Sequence, residues 1–208
     1  MQHFRSDFLD HLGLPPERLA WAQQVHGSQV VEIRKPQYAA GADGLVTNRE
    51  ALFLTVAVAD CLPIYLWCED PPAIALLHAG WRGSAAGIAA QGVRVMKNSF
   101  GCDPGAIRAL LGPAICGSCY QVGPEVAQLF VASDLAHNQN GETFLDLRRA
   151  NRRQLEEAGV ENRNILIDNL CTRCHPNLLF SYRRDGNDTG RMIAVLGMTA
   201  TDLDRKTN

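Results

Sequence analysis

Two uninterrupted apolar stretches, FLTVAVA at 53–59 and AIALL at 73–77, constrain this chain more than any other feature. Both have strand length and neither alternates with polar residues, so each suits a strand covered on both faces. Such a sheet needs further layers, and the surrounding pattern supplies them. Residues 29–33 (QVVEI), 64–67, 107–111, 165–167 and 192–196 read as additional strands. Ala85, Ile88, Ala89, Gly92, Val93 and Met96 recur at helical spacing, with Ser84 placed to cap them. Pro124 opens a helix over 125–131, and Asp146 caps one over 147–158 that Gly159 stops. The alternation predicts an α/β or α+β domain, and no repeat, linker or low-complexity tract divides residues 1–208.

Composition narrows the function classes. With 46% hydrophobic and 20% charged residues the chain can build a core, which excludes a disordered protein. Lys plus Arg total 20 against 22 Asp plus Glu, a net charge of −2 that argues against nucleic acid as a partner. No apolar run reaches the ~18 residues of a membrane span. The N-terminal MQHFRSDFLDHLG lacks the apolar stretch of a secretory signal, so a soluble, cytoplasmic protein is expected. Seven cysteines, an odd count in a chain of 208 residues, read as reduced thiols and not as a disulfide framework.

Three reactive residues fall at strand edges: His26 in QVHG at 24–27, just before a strand, and Cys61 in ADCLP at 59–63 and His78 in HAGWRG at 78–83, where strands run out. Strand ends are where ligands gather in layered α/β folds. Two imidazoles and a thiolate suit zinc, and three protein ligands leave a fourth position open, the pattern of catalytic sites. Cys61 and His78 also suit a metal-free arrangement in which imidazole activates a nucleophilic thiolate and Asp60 or another carboxylate orients the ring. Spacing does not separate the two. Cys116–Cys119 and Cys171–Cys174 form two CxxC pairs, but 51 residues intervene where zinc ribbons use about 15–20, so a shared zinc is not expected there. Arg82, Arg183 and Arg184 are candidates for holding an anion, aided by the helix start near Ser84. Arg148, Arg149, Arg152 and Arg153, followed by Glu156 and Glu157, read as an exposed charged helix face.

Together these motifs resemble the laccase-domain proteins, variously called multicopper polyphenol oxidase, purine nucleoside phosphorylase and peptidoglycan editing factor. The matching stretches are QVHG, GADGLVTN at 41–48, ADCLP, LLHAGWRG at 76–83, LGPAICGSCYQVGPEV at 111–126, FLDLRRANRRQLEEAGV at 144–160 and SYRRDGNDTGRM at 181–192. The resemblance implies an α-β-β-α sandwich of mixed, largely buried sheets, similar to the catalytic domain of cytotoxic necrotizing factor toxins. It also implies that His26, Cys61 and His78 are zinc ligands. Members carry a longer N-terminal segment with an Arg-bearing, Gly-rich stretch; here 23 residues precede Gln24 and none forms such a stretch.

The activity implied is phosphorolysis of adenosine, inosine and methylthioadenosine, with deamination of adenosine. Arg82 with Arg183 or Arg184 would then hold the phosphate. A Cys–His hydrolase acting on cell-wall precursors is the alternative, and the toxins' Cys–His deamidase chemistry gives it a basis. Copper-dependent phenol oxidation ranks below both, because six histidines with two well placed fall short of a multicopper ligand set. A non-catalytic binding role completes the possibilities.

Overall fold

The structure is a computed structural model that describes residues 13–199. The expectation about a secretory signal concerns the first residues, and residues 1–12 lie outside the described ones. The first half of the chain forms β1 (Leu19–Gln23), β2 (Val30–Glu32), β3 (Gln37–Ala40), β4 (Gly44–Thr47), β5 (Phe53–Val58), β6 (Leu62–Glu69) and β7 (Pro72–Ala79). Then come α1 (Trp81–Ala85), α2 (Ile88–Phe100), β8 (Arg108–Leu111), β9 (Gln121–Val122), α3 (Pro124–Ala127), β10 (Leu135–His137) and β11 (Thr143–Leu145). Last are α4 (Leu147–Glu157), β12 (Ile165–Ile167), α5 (Tyr182–Asp185) and β13 (Met192–Gly197).

The mixed α/β class expected from the sequence is the one found, with the mixed, largely buried sheets that the resemblance implied; of its α-β-β-α layering, both long helices described lie on one side. A six-stranded sheet runs β12-β8-β6-β7-β4-β2 and a four-stranded sheet runs β13-β5-β1-β3, with a small β10-β11-β9 sheet beside them. Both larger sheets are mixed: β4 is parallel to β2 but antiparallel to β7, and β5 is parallel to β1 but antiparallel to β13.

Strand alternation explains the apolar run at 73–77. Ala73, Ala75 and Leu77 of β7 face α2 and α4 with Val93, Met96 and Leu155. Ile74 and Leu76 point the other way and meet Leu54 and Val56 of β5 in a core between the sheets. The run at 53–59 differs from expectation. Leu54, Val56 and Val58 are buried, but Phe53 and Ala57 on the opposite face are only partly covered, and Thr55 there donates to the Ala20 carbonyl at 2.7 Å. Both long helices, α2 and α4, lie against the six-stranded sheet.

Helix boundaries also differ in part. Ser84 does not cap one helix over 85–96; it is buried inside α1 and accepts a 2.8 Å hydrogen bond from Asn151. The chain breaks at Gly87, whose φ of 78° lies in the left-handed region that glycine adopts without a Cβ clash, and α2 begins after it. The helix expected over 125–131 stops at Ala127. Asp146 caps α4 as predicted, accepting from the Arg149 amide at 3.1 Å.

Candidate active site

His26, Cys61 and His78 meet at one end of the sandwich, where the chain passes between its sheets. Residues 24–29 lead from β1 in the four-stranded sheet to β2 in the six-stranded one, and 59–61 lead from β5 to β6. His78 is the penultimate residue of β7. One ligand atom from each of the three side chains lies within 4.8 Å of the others. The histidine rings stand edge to face, their centroids 4.9 Å apart. Among described non-glycine residues, positive φ occurs at His26 (60°), Ala51 (55°) and Asp60 (86°), so one strained position belongs to this cluster and another adjoins Cys61.

Asp43 organises the site. Its carboxylate accepts backbone N–H bonds from Val25 (3.1 Å), His26 (3.0 Å) and Gly27 (2.7 Å), which explains how the loop holds His26 in an uncommon conformation. Oδ1 also takes a 2.8 Å hydrogen bond from His78 Nδ1. That contact orients the ring, which also hydrogen-bonds with Cys61, and it is the carboxylate–histidine support usual behind a metal-binding imidazole. Gln24 secures the same loop by exchanging both amide bonds with the Ala57 backbone, at 2.7 and 2.8 Å. Gly83 closes it from the other side, since a Cβ there would stand 2.6 Å from the Gly27 carbonyl oxygen.

The electrostatics suit a ligand or a nucleophile. Burial alone would push the Cys61 thiol up, but hydrogen bonds with His26 and His78 outweigh it and bring its pKa down to about 6. Burial would likewise lower His78, yet Asp43 and Cys61 raise it to about 9. Asp43 lies below its ordinary value because His78 and the loop amides overcome its burial. His78 is buried, Cys61 half-buried and His26 exposed, so the cluster opens to solvent on the His26 side.

Tyr120 connects two of the candidate arginines, Arg82 and Arg183, with Cys61 electrostatically. Arg183 donates to the Gln121 carbonyl at 2.7 Å and lies over the Tyr120 ring, 4.9 Å from its centroid. Arg82, at the start of α1, stacks on Trp81 at 4.2 Å. Tyr120 feels both: burial and the charges of Cys61 and Asp60 push its hydroxyl to about 12, while Arg183 and Arg82 pull against them. Arg184 is directed inward, donating to the carbonyls of Thr172 (2.8 Å) and Leu179 (3.0 Å) and pairing with Asp185. Asp60 accepts from Thr172 Oγ1 at 2.5 Å and from the Arg183 amide at 2.6 Å, which ties the 181–186 turn to the strand junction carrying Cys61.

The family described as multi-copper polyphenol oxidoreductase laccase matches residues 1–199. The chain belongs to this family. It is 37% identical over 210 residues to purine nucleoside phosphorylase YlmD of Geobacillus stearothermophilus, covering 93% of this chain and 77% of that protein. A purine nucleoside phosphorylase of Deinococcus radiodurans is 40% identical over 190 residues, covering 90% and 73%. The adenosine deaminase RL5 of an unknown prokaryotic organism is 36% identical over 197 residues, covering 86% and 75%. The crystal structure of YlmD from Geobacillus stearothermophilus superimposes with a TM-score of 0.90 at 34% identity, over 94% of this chain and 79% of that one.

Two features of this laccase-family chain depart from the sequence reading. Arg148 is no part of an exposed charged face: it is buried, and its Nη2 donates to the Ala114 and Leu170 carbonyls at 2.8 and 2.6 Å. The two CxxC pairs do meet, with the sulfurs of Cys116, Cys119, Cys171 and Cys174 within 4.8 Å of one another. Asp43 and Tyr120 are the site residues that sequence reasoning missed, although both lie inside the family motifs GADGLVTN and LGPAICGSCYQVGPEV.

Proposed function

We propose that this chain, as one unit over 1–208, is a cytoplasmic, zinc-dependent purine nucleoside phosphorylase with adenosine deaminase activity. It would take adenosine, inosine or methylthioadenosine with phosphate to the free base and ribose 1-phosphate. The convergence of His26, Cys61 and His78 around an Asp43-fixed imidazole carries the reading, because two nitrogens and a thiolate opening on solvent form a zinc-compatible, three-ligand set. The names of the relatives supply the reaction class.

His26, Cys61 and His78 would hold the metal, which when bound supplies Lewis-acid polarisation at the open side of the cluster. The other residues position the substrates. Phosphorolysis breaks the bond from the sugar to the base and forms one from the sugar to a phosphate oxygen, passing through a sugar with cationic character. A phosphate dianion held by Arg82 and Arg183 would lie where it stabilises that charge. Arg184, directed to the Thr172 and Leu179 carbonyls, is assigned a structural part with no contact to phosphate.

A second reading has one observation in its favour. The Cys61–His78–Asp43 array, with the thiol at about 6, is also that of a metal-free cysteine hydrolase acting on an amide. Chromatography of products from adenosine with phosphate, using native protein and Cys61→Ala, tests the proposal. Adenine or inosine made by the native protein and not by the variant supports it; no product from zinc-loaded native protein overturns it.

A further inference from the structure

The four cysteines outside the catalytic cluster converge although their pairs are 51 residues apart in sequence. An isolated parallel bridge pairs Ala114 with Cys171. The Ala114 amide donates to Leu170 at 3.3 Å, the Thr172 amide donates to Ala114 at 3.2 Å, and Arg148 joins both carbonyls from below. Each CxxC pair leaves this bridge on a tight turn. In the first, the Cys119 and Tyr120 amides donate to the Cys116 carbonyl at 2.9 and 3.0 Å; in the second, the His175 amide donates to the Cys171 carbonyl at 3.2 Å. The backbone thereby aims both pairs at one point.

We propose that Cys116, Cys119, Cys171 and Cys174 form a second metal site, a four-thiolate centre for zinc, that clamps the 112–123 segment to the 168–175 segment. Zn–S bonds of about 2.3 Å arranged tetrahedrally put sulfurs about 3.8 Å apart. The Cys119 and Cys174 sulfurs are 3.4 Å apart, and the widest pair lies within 4.8 Å, so ligation asks each pair to move by about 1 Å or less. All seven cysteines are free, leaving these four available. The Cys116 amide already donates to the Cys171 sulfur at 3.3 Å, and the Arg173 side chain lies beside Cys119. A backbone donor and a cation at the sulfurs offset the negative charge of a tetrathiolate. Binding replaces the thiol protons with the metal and releases them to solvent; no oxidant is required. Two thiols suffice for a redox pair, whereas four converging sulfurs match the ligand number of a structural zinc site.

This centre would reach the catalytic cluster through Thr172, which lies between Cys171 and Cys174 and donates to Asp60, the residue before Cys61. Tyr120, next to Cys119, supports Arg183. Zinc content of the dialysed chain, followed by Co2+ substitution, tests the assignment. Two zinc equivalents are expected in the native protein and one each in His26→Ala and in the Cys119→Ser, Cys174→Ser double variant. Cobalt-loaded His26→Ala should retain intense sulfur-to-metal absorption. The assignment is overturned if the double variant binds as much zinc as the native chain, or if the cobalt absorption disappears in His26→Ala. The native cobalt spectrum decides independently of how the double variant folds, since an absorption with the intensity of one thiolate ligand counts against four. Loss of zinc in the double variant with no loss in His26→Ala supports this centre and removes the catalytic one instead.

Discussion

The Asp43 carboxylate and the His78 imidazole meet at 2.8 Å where neither side chain reaches solvent, with relative exposures of 0% and 3%. The same carboxylate holds the His26 loop by three amides, so one buried acid sets the positions of two of the three metal-ligand candidates. Asp43→Asn should therefore lower zinc affinity by roughly 10–100-fold, the usual effect of losing such a supporting contact. Competition with a chromogenic chelator measures it, and an unchanged affinity would refute the role given to Asp43.

The Cys61 and His78 shifts predict a specific pH response in metal-free protein. Cys61, depressed to about 6, favours folding above its unfolded pKa and loses that contribution as pH falls through 6. His78, raised to about 9, favours folding below its unfolded pKa and loses that contribution as pH rises through 9. The two dependences oppose each other, so reactivity reports the pair better than stability does. Alkylation of Cys61 should reach half its plateau rate near pH 6. In Asp43→Asn the midpoint should move upward. A native midpoint near the ordinary thiol value of about 8.5 would contradict the assignment.

Gly83→Ala tests the packing of α1 on the His26 loop. Its Cβ would meet backbone, the Gly27 carbonyl, and not a side chain able to swing away. A destabilisation of about 1–3 kcal/mol is expected, accompanied by weaker zinc binding. Thermal unfolding with and without zinc measures both, and a variant as stable as the native protein would show that the loop yields freely.

The arginines separate by their hydrogen bonds. Arg183→Ala or Arg82→Ala should raise the KM for phosphate, with activity recovered at high phosphate. Arg184→Ala removes donors to Thr172 and Leu179, so it should lower thermal stability without a selective change in phosphate dependence. Equal phosphate dependence in all three variants would deny Arg82 and Arg183 their place.

His26, Cys61 and His78 were legible as candidates because each is a ligand-type residue at a strand edge, His26 just before one and Cys61 and His78 at the ends of apolar ones, and because all three lie in motifs of the resembling family. Asp43 was not, since an acid within GADG looks like an ordinary turn residue. Only the register of β4 on β7, with Gly44 opposite Leu77, brings Asp43 beside His78. The short strands β1, β3 and β4 lacked a pattern long enough to recognise. The meeting of the CxxC pairs depends on one parallel bridge at Ala114 and Cys171, a long-range contact that spacing does not encode. Arg148 looked exposed among its neighbours because composition does not tell which face of α4 turns toward the Ala114 carbonyl.

Bound zinc and turnover of adenosine with phosphate, measured side by side in His26→Ala and Cys61→Ala, test the central claim most directly. The catalytic metal site predicts that each variant loses one zinc equivalent and loses product formation. A dead Cys61→Ala beside an active His26→Ala would contradict it and assign the chemistry to the Cys61–His78–Asp43 array without metal.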